Sequence, residues 1–285
     1  MKYIGRFAPS PSGPLHRGSL VAALGSFLRA KSSQGQWLVR IEDLDRPREM
    51  QGASSSILHS LEHHGLHWDG EIVYQSQRAH LYSQYLEKIQ KNQQSYFCDC
   101  TRSKIKAASG FYQGHCRHLN LSMAMNQSIR FRATEQVELF EDKLLGQLRL
   151  SAENYEQDFI LKRKDGYFSY PLAVVVDDYE QNITEVVRGA DLIEATFAQI
   201  NLQKALRINT PSYVHLPLVC DNDGAKLSKQ NHAKPIENKM APANLYRALT
   251  FLGQKPPSTL QQEEAETIIQ WAVAHWQLNL VPKSM

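Results

Sequence analysis

Chemistry needs side chains that hold charge, move a proton or bind a metal, and in this chain they gather in a few places. The first is Arg6 to Leu20, RFAPSPSGPLHRGSL. Its small, turn-forming residues (Ala8, Pro9, Ser10, Pro11, Ser12, Gly13, Pro14) let a backbone pass close to a ligand. His16, Gly18 and Ser19 then stand just ahead of an apolar periodic run. A helix N-terminus offers N–H groups and a favourable dipole to phosphate, so His16 and Gly18 are candidates to face one. From the loop alone, an ordinary strand-to-helix turn with a stray histidine reads equally well. The second place is Lys226-Leu227-Ser228-Lys229-Gln230, after Asp221-Asn222-Asp223-Gly224, where two lysines supply point charges suited to a polyphosphate. The third is Glu42, at the end of an apolar segment. It is either a ligand-binding acid or one member, with Asp43 and Asp45, of a surface cluster pairing Arg40, Arg46 and Arg48. The fourth is Cys98, Cys100 and Cys116, three thiols one short of the tetrahedral set that zinc prefers. His115, His118 or Tyr112 could complete it, and spacing alone favours a histidine.

The elements that must position these residues follow from periodicity. Lys2 to Phe7 reads as a short strand, Leu20 to Leu28 as a helix, and Gln36 to Glu42 as a buried strand ending in charge. Ser54 to Leu66 and Ala79 to Gln90 carry helical stripes. His59, His63, His64 and His67, in or after the first of these, lack partners at metal-binding spacing and are expected to face solvent. Short strands at Ser128 to Arg132 and Asp158 to Arg163 mark a small inserted unit. Its Arg130, Arg132, Lys162, Arg163 and Lys164 make either a phosphate-contacting face or ordinary surface charge. The apolar run from Tyr167 to Asp178 is expected to return to the sheet, extended by Ile183 to Val187. Asp191 to Leu206 follows as a helix and Tyr213 to Cys220 as the last strand, with Cys220 in the core. Helices at Ala243 to Leu252 and Glu263 to Leu278 close the chain. The order is that of an α/β chain with a doubly wound parallel sheet.

The loop at His16 and the KLSKQ stretch, in this order, resemble the paired HIGH and KMSKS signatures of class I aminoacyl-tRNA synthetases. The residues around them, with Arg40-Ile41-Glu42-Asp43-Leu44-Asp45-Arg46 and Thr184-Glu185-Val186-Val187-Arg188-Gly189-Ala190-Asp191-Leu192, resemble the glutamyl branch. The resemblance covers roughly the first 230 residues. It implies a Rossmann-like catalytic domain in two halves, 1–97 and 169–232, around a zinc-bearing α+β insert at 98–168, and a short helical region at 233–285 in place of an anticodon-binding domain. It implies that His16, Gly18, Ser19, Lys226 and Lys229 are catalytic, with His16, Gly18 and Lys229 on ATP. Glutamate would be held by Arg6, Ala8, Ser10, Glu42, Tyr170 and Arg188. The pattern Cys-x-Cys then Tyr-x-x-x-Cys is similar to the glutamyl-queuosine subgroup, which makes Tyr112 the fourth ligand of one structural Zn2+, beside Cys98, Cys100 and Cys116. Ser19 departs from the second histidine of HIGH, and Gln230 from the last serine of KMSKS.

By that resemblance the chain activates L-glutamate with ATP and Mg2+, without tRNA, and transfers it to the queuosine base of tRNA(Asp). The alternatives are charging of tRNA(Glu) and a catalytically silent relative that binds RNA or a partner. Composition fits: 285 residues, 42% hydrophobic and 21% charged, can bury a sizeable core. No apolar run approaches a membrane span and no signal-peptide core opens the chain, so a cytoplasmic monomer is expected. A net charge of +3 permits a nucleic-acid partner without requiring one.

Overall fold

The computed structural model describes residues 2–108, 112–122, 124, 126–135, 137–150, 158–220 and 234–283. The expected site residues Lys226 and Lys229, with the rest of the KLSKQ stretch, lie outside them.

β1 (Ile4–Phe7) runs into the Pro/Gly loop, and α1 (Arg17–Ser32) carries the chain back to β2 (Gln36–Ile41). β1 and β2 are parallel, from Ile4 opposite Gln36 to Phe7 opposite Val39. Trp37 on β2 explains why α1 lies flat against this pair: its ring meets Phe27 edge-on at 5.1 Å and its indole N–H donates to Ser26 Oγ at 2.9 Å. α2 (Ala53–His63) leads to β3 (Val73–Tyr74), parallel to β2. α3 (Ala79–Lys91) buries Tyr82, Tyr85, Leu86 and Ile89. β4 (Ser95–Cys98) and α4 (Arg102–Ala108) follow, then β5 (Ser128–Phe131), β6 (Leu139–Asp142), β7 (Gly146–Arg149) and β8 (Ile160–Lys162). α5 (Tyr170–Glu180), β9 (Glu185–Gly189), α6 (Ile193–Leu206) and β10 (Ser212–Leu216) return the chain to the parallel sheet. α7 (Ala241–Phe251) and α8 (Ala265–His275) pack on α1 through Leu245, Leu249 and Ile268.

β9 and β10 are parallel, β10 and β6 are parallel, and β6 and β7 form an antiparallel hairpin. Thr184 N donates to Ile4 O at 2.9 Å and Ile4 N to Thr184 Oγ1 at 3.0 Å, which brings β9 beside β1. The strands therefore run β3-β2-β1-β9-β10-β6-β7. Strand order reverses between β1 and β9, and in open α/β sheets ligands bind outside the C-terminal strand ends at such a point. The stretch between β4 and β8 supplies strands to two sheets: β4, β5 and β8 pair antiparallel, while the β6–β7 hairpin extends the parallel sheet.

Several expectations are corrected. The run from Tyr167 to Asp178 is not a strand: Tyr170–Glu180 is helical, with Ser169 at its N-cap and Pro171 in its first turn. A continuous apolar run is compatible with a buried helix or a buried strand, and here its eleven residues and the early proline favour helix. His64 does not face solvent. It is fully buried, bonded through Nδ1 to Ser60 O at 2.6 Å, whereas His59, His63 and His67 are exposed. Arg130 is buried rather than on a basic face, and Cys220 is exposed rather than in the core. No helix among the described residues is long and apolar enough to cross a membrane.

Candidate active site

His16 is the N-cap of α1. Its Nδ1 accepts from Gly18 N at 3.1 Å and Ser19 N at 3.3 Å. Ser19 Oγ reciprocates, accepting from His16 N at 2.8 Å and donating to His16 O at 2.8 Å. With Nδ1 accepting, a ring proton belongs on Nε2, so the imidazole can donate away from the helix. The Gly18 N–H that the sequence offers to phosphate is directed at the histidine ring instead. Ile236 N donates to Leu15 O at 2.9 Å, so the chain beyond residue 233 resumes beside this cap.

At the strand switch point the loop after β1 and the end of β9 enclose a cavity of about 310 Å³. Arg6, Ala8, Ser10, Glu42, Tyr170 and Arg188 all line it, together with Val187 and Leu192. Cations and an acid border it together. Arg188 is held by neutral acceptors: Nε donates to His215 Nε2 at 3.3 Å, Nη1 to the Tyr170 hydroxyl at 3.2 Å, and Nη2 to Thr196 Oγ1 at 2.7 Å and Gln199 Oε1 at 2.8 Å. Glu42 borders the same cavity. Burial pushes its carboxyl up to about 7, against the pull of Arg40 and Arg6. A guanidinium without a carboxylate in its hydrogen bonds and an acid of raised pKa are suited to opposite ends of a zwitterion. A second cavity of about 290 Å³ shares Ser10, Glu42 and Tyr170 with the first and is bordered by Arg48, Arg102 and Arg163.

Beneath the cavity runs a buried ionic network. Arg6 forks onto Asp178 at 3.0 and 3.2 Å, so its guanidinium supports the floor more than it reaches into the cavity. Arg40, fully buried, donates to Asp178 at 2.8 Å and Gln181 at 2.7 Å, and its Nη2 lies 3.5 Å from Glu42. Burial would raise the Asp178 carboxyl, but Arg6 and Arg40 outweigh it and hold it below the usual carboxylate range. Asp177 accepts from Gln75 at 2.8 Å, Arg78 at 2.6 Å and Tyr82 at 2.8 Å. This splits the sequence alternatives: Arg48 and Asp45 do form an exposed pair at 2.6 Å, but Arg40 and Glu42 are interior. Sequence reasoning missed the roles of Arg40, Asp177 and Asp178. The signal was present, since charges inside the apolar runs QWLVRI and YPLAVVVDD must be paired when buried.

The thiols of Cys98, Cys100 and Cys116 converge with all three sulfurs within 4.8 Å of one another, and Cys100 Sγ lies 3.6 Å from Cys116 Sγ. Tetrahedral zinc with ~2.3 Å Zn–S bonds separates its sulfurs by roughly 3.8 Å, so the thiols fit a metal as donors and in spacing. Burial and the neighbouring sulfurs push the Cys100 thiol up to about 12. Tyr112 belongs to the same buried cluster: its hydroxyl accepts from Cys116 N at 2.9 Å, and the Arg130 guanidinium covers its ring at 3.7 Å. His115 and His118 are exposed.

The family described as tRNA synthetases class I (E and Q), catalytic domain, matches residues 3–270. The Glutamyl-Q tRNA(Asp) synthetase of Photobacterium profundum is 52% identical over 281 residues, covering 99% of this chain and 90% of that one. The protein of that name in Vibrio cholerae serotype O1 is 50% identical over 285 residues, covering 100% and 94%. In fold, the chain is similar to a glutamate tRNA ligase from Elizabethkingia meningosepticum, solved in complex with its amino acid. The TM-score is 0.84 at 24% identity, and the match covers all of this chain but 66% of the ligase. A match of this extent, with half-identical relatives covered almost end to end, means that the chain belongs to the class I (E and Q) tRNA synthetases, a family of ligases.

Proposed function

We propose that this protein activates L-glutamate with ATP, in the absence of tRNA, and passes the glutamyl group to the queuosine base of tRNA(Asp). The observation that carries the reading is the single cavity lined by Arg6, Ala8, Ser10, Glu42, Tyr170 and Arg188, which brings the Arg188 guanidinium and the Glu42 carboxyl to one site. Of the five Arg188 N–H groups, Nε, both on Nη2 and one on Nη1 are engaged by the protein. Among the described residues nothing engages the second Nη1 N–H or accepts from the Tyr170 O–H, and both are donors for the side-chain carboxylate of glutamate. A glutamine amide would turn its NH2 toward one of them, which accounts for discrimination by an unmade hydrogen bond. Glu42 takes the α-ammonium. The α-carboxylate is then left free to attack the α-phosphorus of Mg2+-bound ATP, pyrophosphate leaves, and a nucleophile on the base later displaces AMP from the carbonyl.

Adenylation brings two anions together, so positioning and charge stabilisation dominate. His16 donates to phosphate through Nε2, and Ser19 sustains the cap that aims it, as does Gly18 N. Lys226 and Lys229 hold the departing pyrophosphate. In support, the described chain resumes beside His16, and Lys229 precedes Lys234 by five positions, a reach of at most roughly 17 Å. The second cavity, with its three arginines, receives the acceptor nucleoside. Cys98, Cys100, Cys116 and Tyr112 would hold Zn2+, which would contribute structure, not bond making. Tyr112 is favoured over a histidine because it alone is buried with the thiols. The half-identical relatives, Glutamyl-Q tRNA(Asp) synthetases by name, support this acceptor.

The test is transfer of labelled glutamate, with ATP, to tRNA from cells that make queuosine and from cells that cannot. Label confined to queuosine-containing tRNA(Asp) is expected. Label on tRNA(Glu) irrespective of queuosine would replace the reading with ordinary charging, and absence of pyrophosphate exchange would remove the enzyme reading altogether.

A further inference from the structure

Arg188 has a long, rotamer-rich side chain, and a cation that must meet one carboxylate edge needs something to fix its plane. Tyr170, Thr196 and Gln199 hold the two Nη nitrogens, as described. What holds the Nε side is a chain of fully buried groups arriving from two neighbouring strands. His215 on β10 lies directly opposite Arg188 on β9, and Asp142 ends β6 on the other side of β10. Asp142 Oδ2 accepts from His215 Nδ1 at 2.8 Å and from His215 N at 3.0 Å. Its Oδ1 accepts from Leu144 N at 2.9 Å and Leu145 N at 2.8 Å. The carboxylate is thus saturated by donors and cannot swing. His215 Nε2 in turn lies 3.3 Å from Arg188 Nε and 3.0 Å from Thr196 Oγ1.

Only one arrangement of protons satisfies this chain. A guanidinium has donors and no acceptor, so His215 Nε2 must present its lone pair to Arg188, and the ring proton must reside on Nδ1. An ionised carboxylate accepts only, so Asp142 selects that tautomer. Inverting it would set Nε2–H against the Arg188 Nε–H, donor against donor, and tilt the guanidinium out of the plane that Tyr170 and Gln199 define.

We propose that Asp142 and His215 are positioning residues for Arg188: the carboxylate locks the imidazole tautomer, and the imidazole lone pair sets the aim of the guanidinium into the cavity. Neither residue touches the substrate. The inference rests on Arg188 being the partner of the substrate's side-chain carboxylate. It assigns a function to the β6–β7 hairpin, which delivers a carboxylate to the parallel sheet from the middle of the span expected as the insert.

The experiment measures ATP–pyrophosphate exchange with glutamate and ATP varied separately. Asp142→Asn is expected to raise the KM for glutamate by about 10- to 100-fold, by analogy with the loss of affinity when the hydrogen-bond partner behind a metal-binding histidine is removed. The KM for ATP is expected to stay within about twofold, and kcat at saturating glutamate to change far less than KM. His215→Gln places an amide oxygen near the Nε2 position and is expected to retain most of the glutamate affinity that His215→Leu loses. In the His215→Gln background, Asp142→Asn should add little, because its effect passes through the ring. An equal rise in both backgrounds, parallel losses for glutamate and ATP, or an unchanged glutamate KM would overturn the proposal. The tautomer is read on the wild-type protein from the ring 15N shifts of His215. A proton on Nδ1 alone supports the proposal, and a proton on Nε2 sinks it even where a variant does not fold. Arg188→Ala separates the two levels: if it leaves the glutamate KM unchanged, the pocket assignment itself is wrong. If it raises that KM while Asp142→Asn does not, only the positioning role fails.

Discussion

Glu42 is a carboxyl kept where ionisation is disfavoured until a cation joins it. Burial is the largest influence on it, Arg40 and Arg6 pull the other way, and the result is a pKa of about 7 rather than 4.5. With Glu42 as the proposed partner of the substrate amine, an ammonium bound alongside would favour the carboxylate, so below about pH 7 the binding of glutamate would release a proton. The KM for glutamate is therefore expected to be flat above that pH and to rise up to about tenfold per unit below it. Exchange assays from pH 6 to 8.5 check this, and a flat profile would argue against Glu42 as the amine partner. The same shift has the opposite sign for stability. A raised folded-state pKa contributes stability below about 4.5 that is lost as pH rises through about 7. Glu42→Gln, which cannot ionise, should thus be more stable than wild type at pH 8 by on the order of 2–3 kcal/mol. The gap should close toward pH 4.5 in urea titrations, while glutamate activation is impaired at both. Glu42 was legible as a site residue because it follows an apolar strand. Arg40, two positions earlier, enters the sequence reading only as the surface partner of one alternative, since sequence does not say which charges share a buried acid.

At the scale of elements, the loop-to-helix junction was the most legible feature and its atomic use the least. Periodicity placed the helix N-terminus at His16, but only the structure shows the imidazole and Ser19 closing a reciprocal cap. Ser19→Ala is expected to cost about 1 kcal/mol in unfolding free energy. Exchange activity should fall only as far as His16 loses its aim, so a loss as deep as that of His16→Ala would assign the hydroxyl a direct part in the chemistry. The cysteine knuckle shows the converse. Spacing counted three thiols and favoured a histidine as the fourth ligand, because it cannot show that His115 and His118 are exposed while a phenol four residues before Cys116 is buried. Cys100→Ser is expected to lower bound zinc from about one per chain to well below half, and with it the melting temperature. Equal metal in both proteins would reject the cluster as the site. The α5 misreading has a related cause: a doubly buried segment shows no alternation for a period to report.

Over the whole molecule, the two halves of the sheet meet at β1 and β9, where they share an apolar core, and a buried charge network joins them as well beneath the cavity. Arg6 on β1 and Arg40 on β2 both reach Asp178 on α5, across a gap of well over a hundred residues in sequence. Removing one partner of a buried pair leaves the other charged and unsolvated, typically at a cost of about 3–5 kcal/mol. Arg40→Leu should lose stability of that order in urea unfolding and lose glutamate activation with it, because Arg6 and Glu42 depend on the same anchor. A loss below about 1 kcal/mol would mean the network adds little to the apolar core in joining the halves.

The sequence by itself determined what is local. Periodicity set the helices that flank the sheet, the Pro/Gly loop and its histidine marked a site at a helix start, and three close cysteines marked a knuckle. All of these depend on residues near one another in the chain, where backbone geometry and spacing suffice. Tertiary structure alone decided which strands adjoin, that the β6–β7 hairpin belongs to the parallel sheet, and which charges are buried together. Asp142 stands 73 residues from His215, and His215 stands 27 from Arg188, yet each pair lies in contact. A polar side chain reads alike on paper whether water or another chain segment satisfies it, and only folding decides which partner replaces the water.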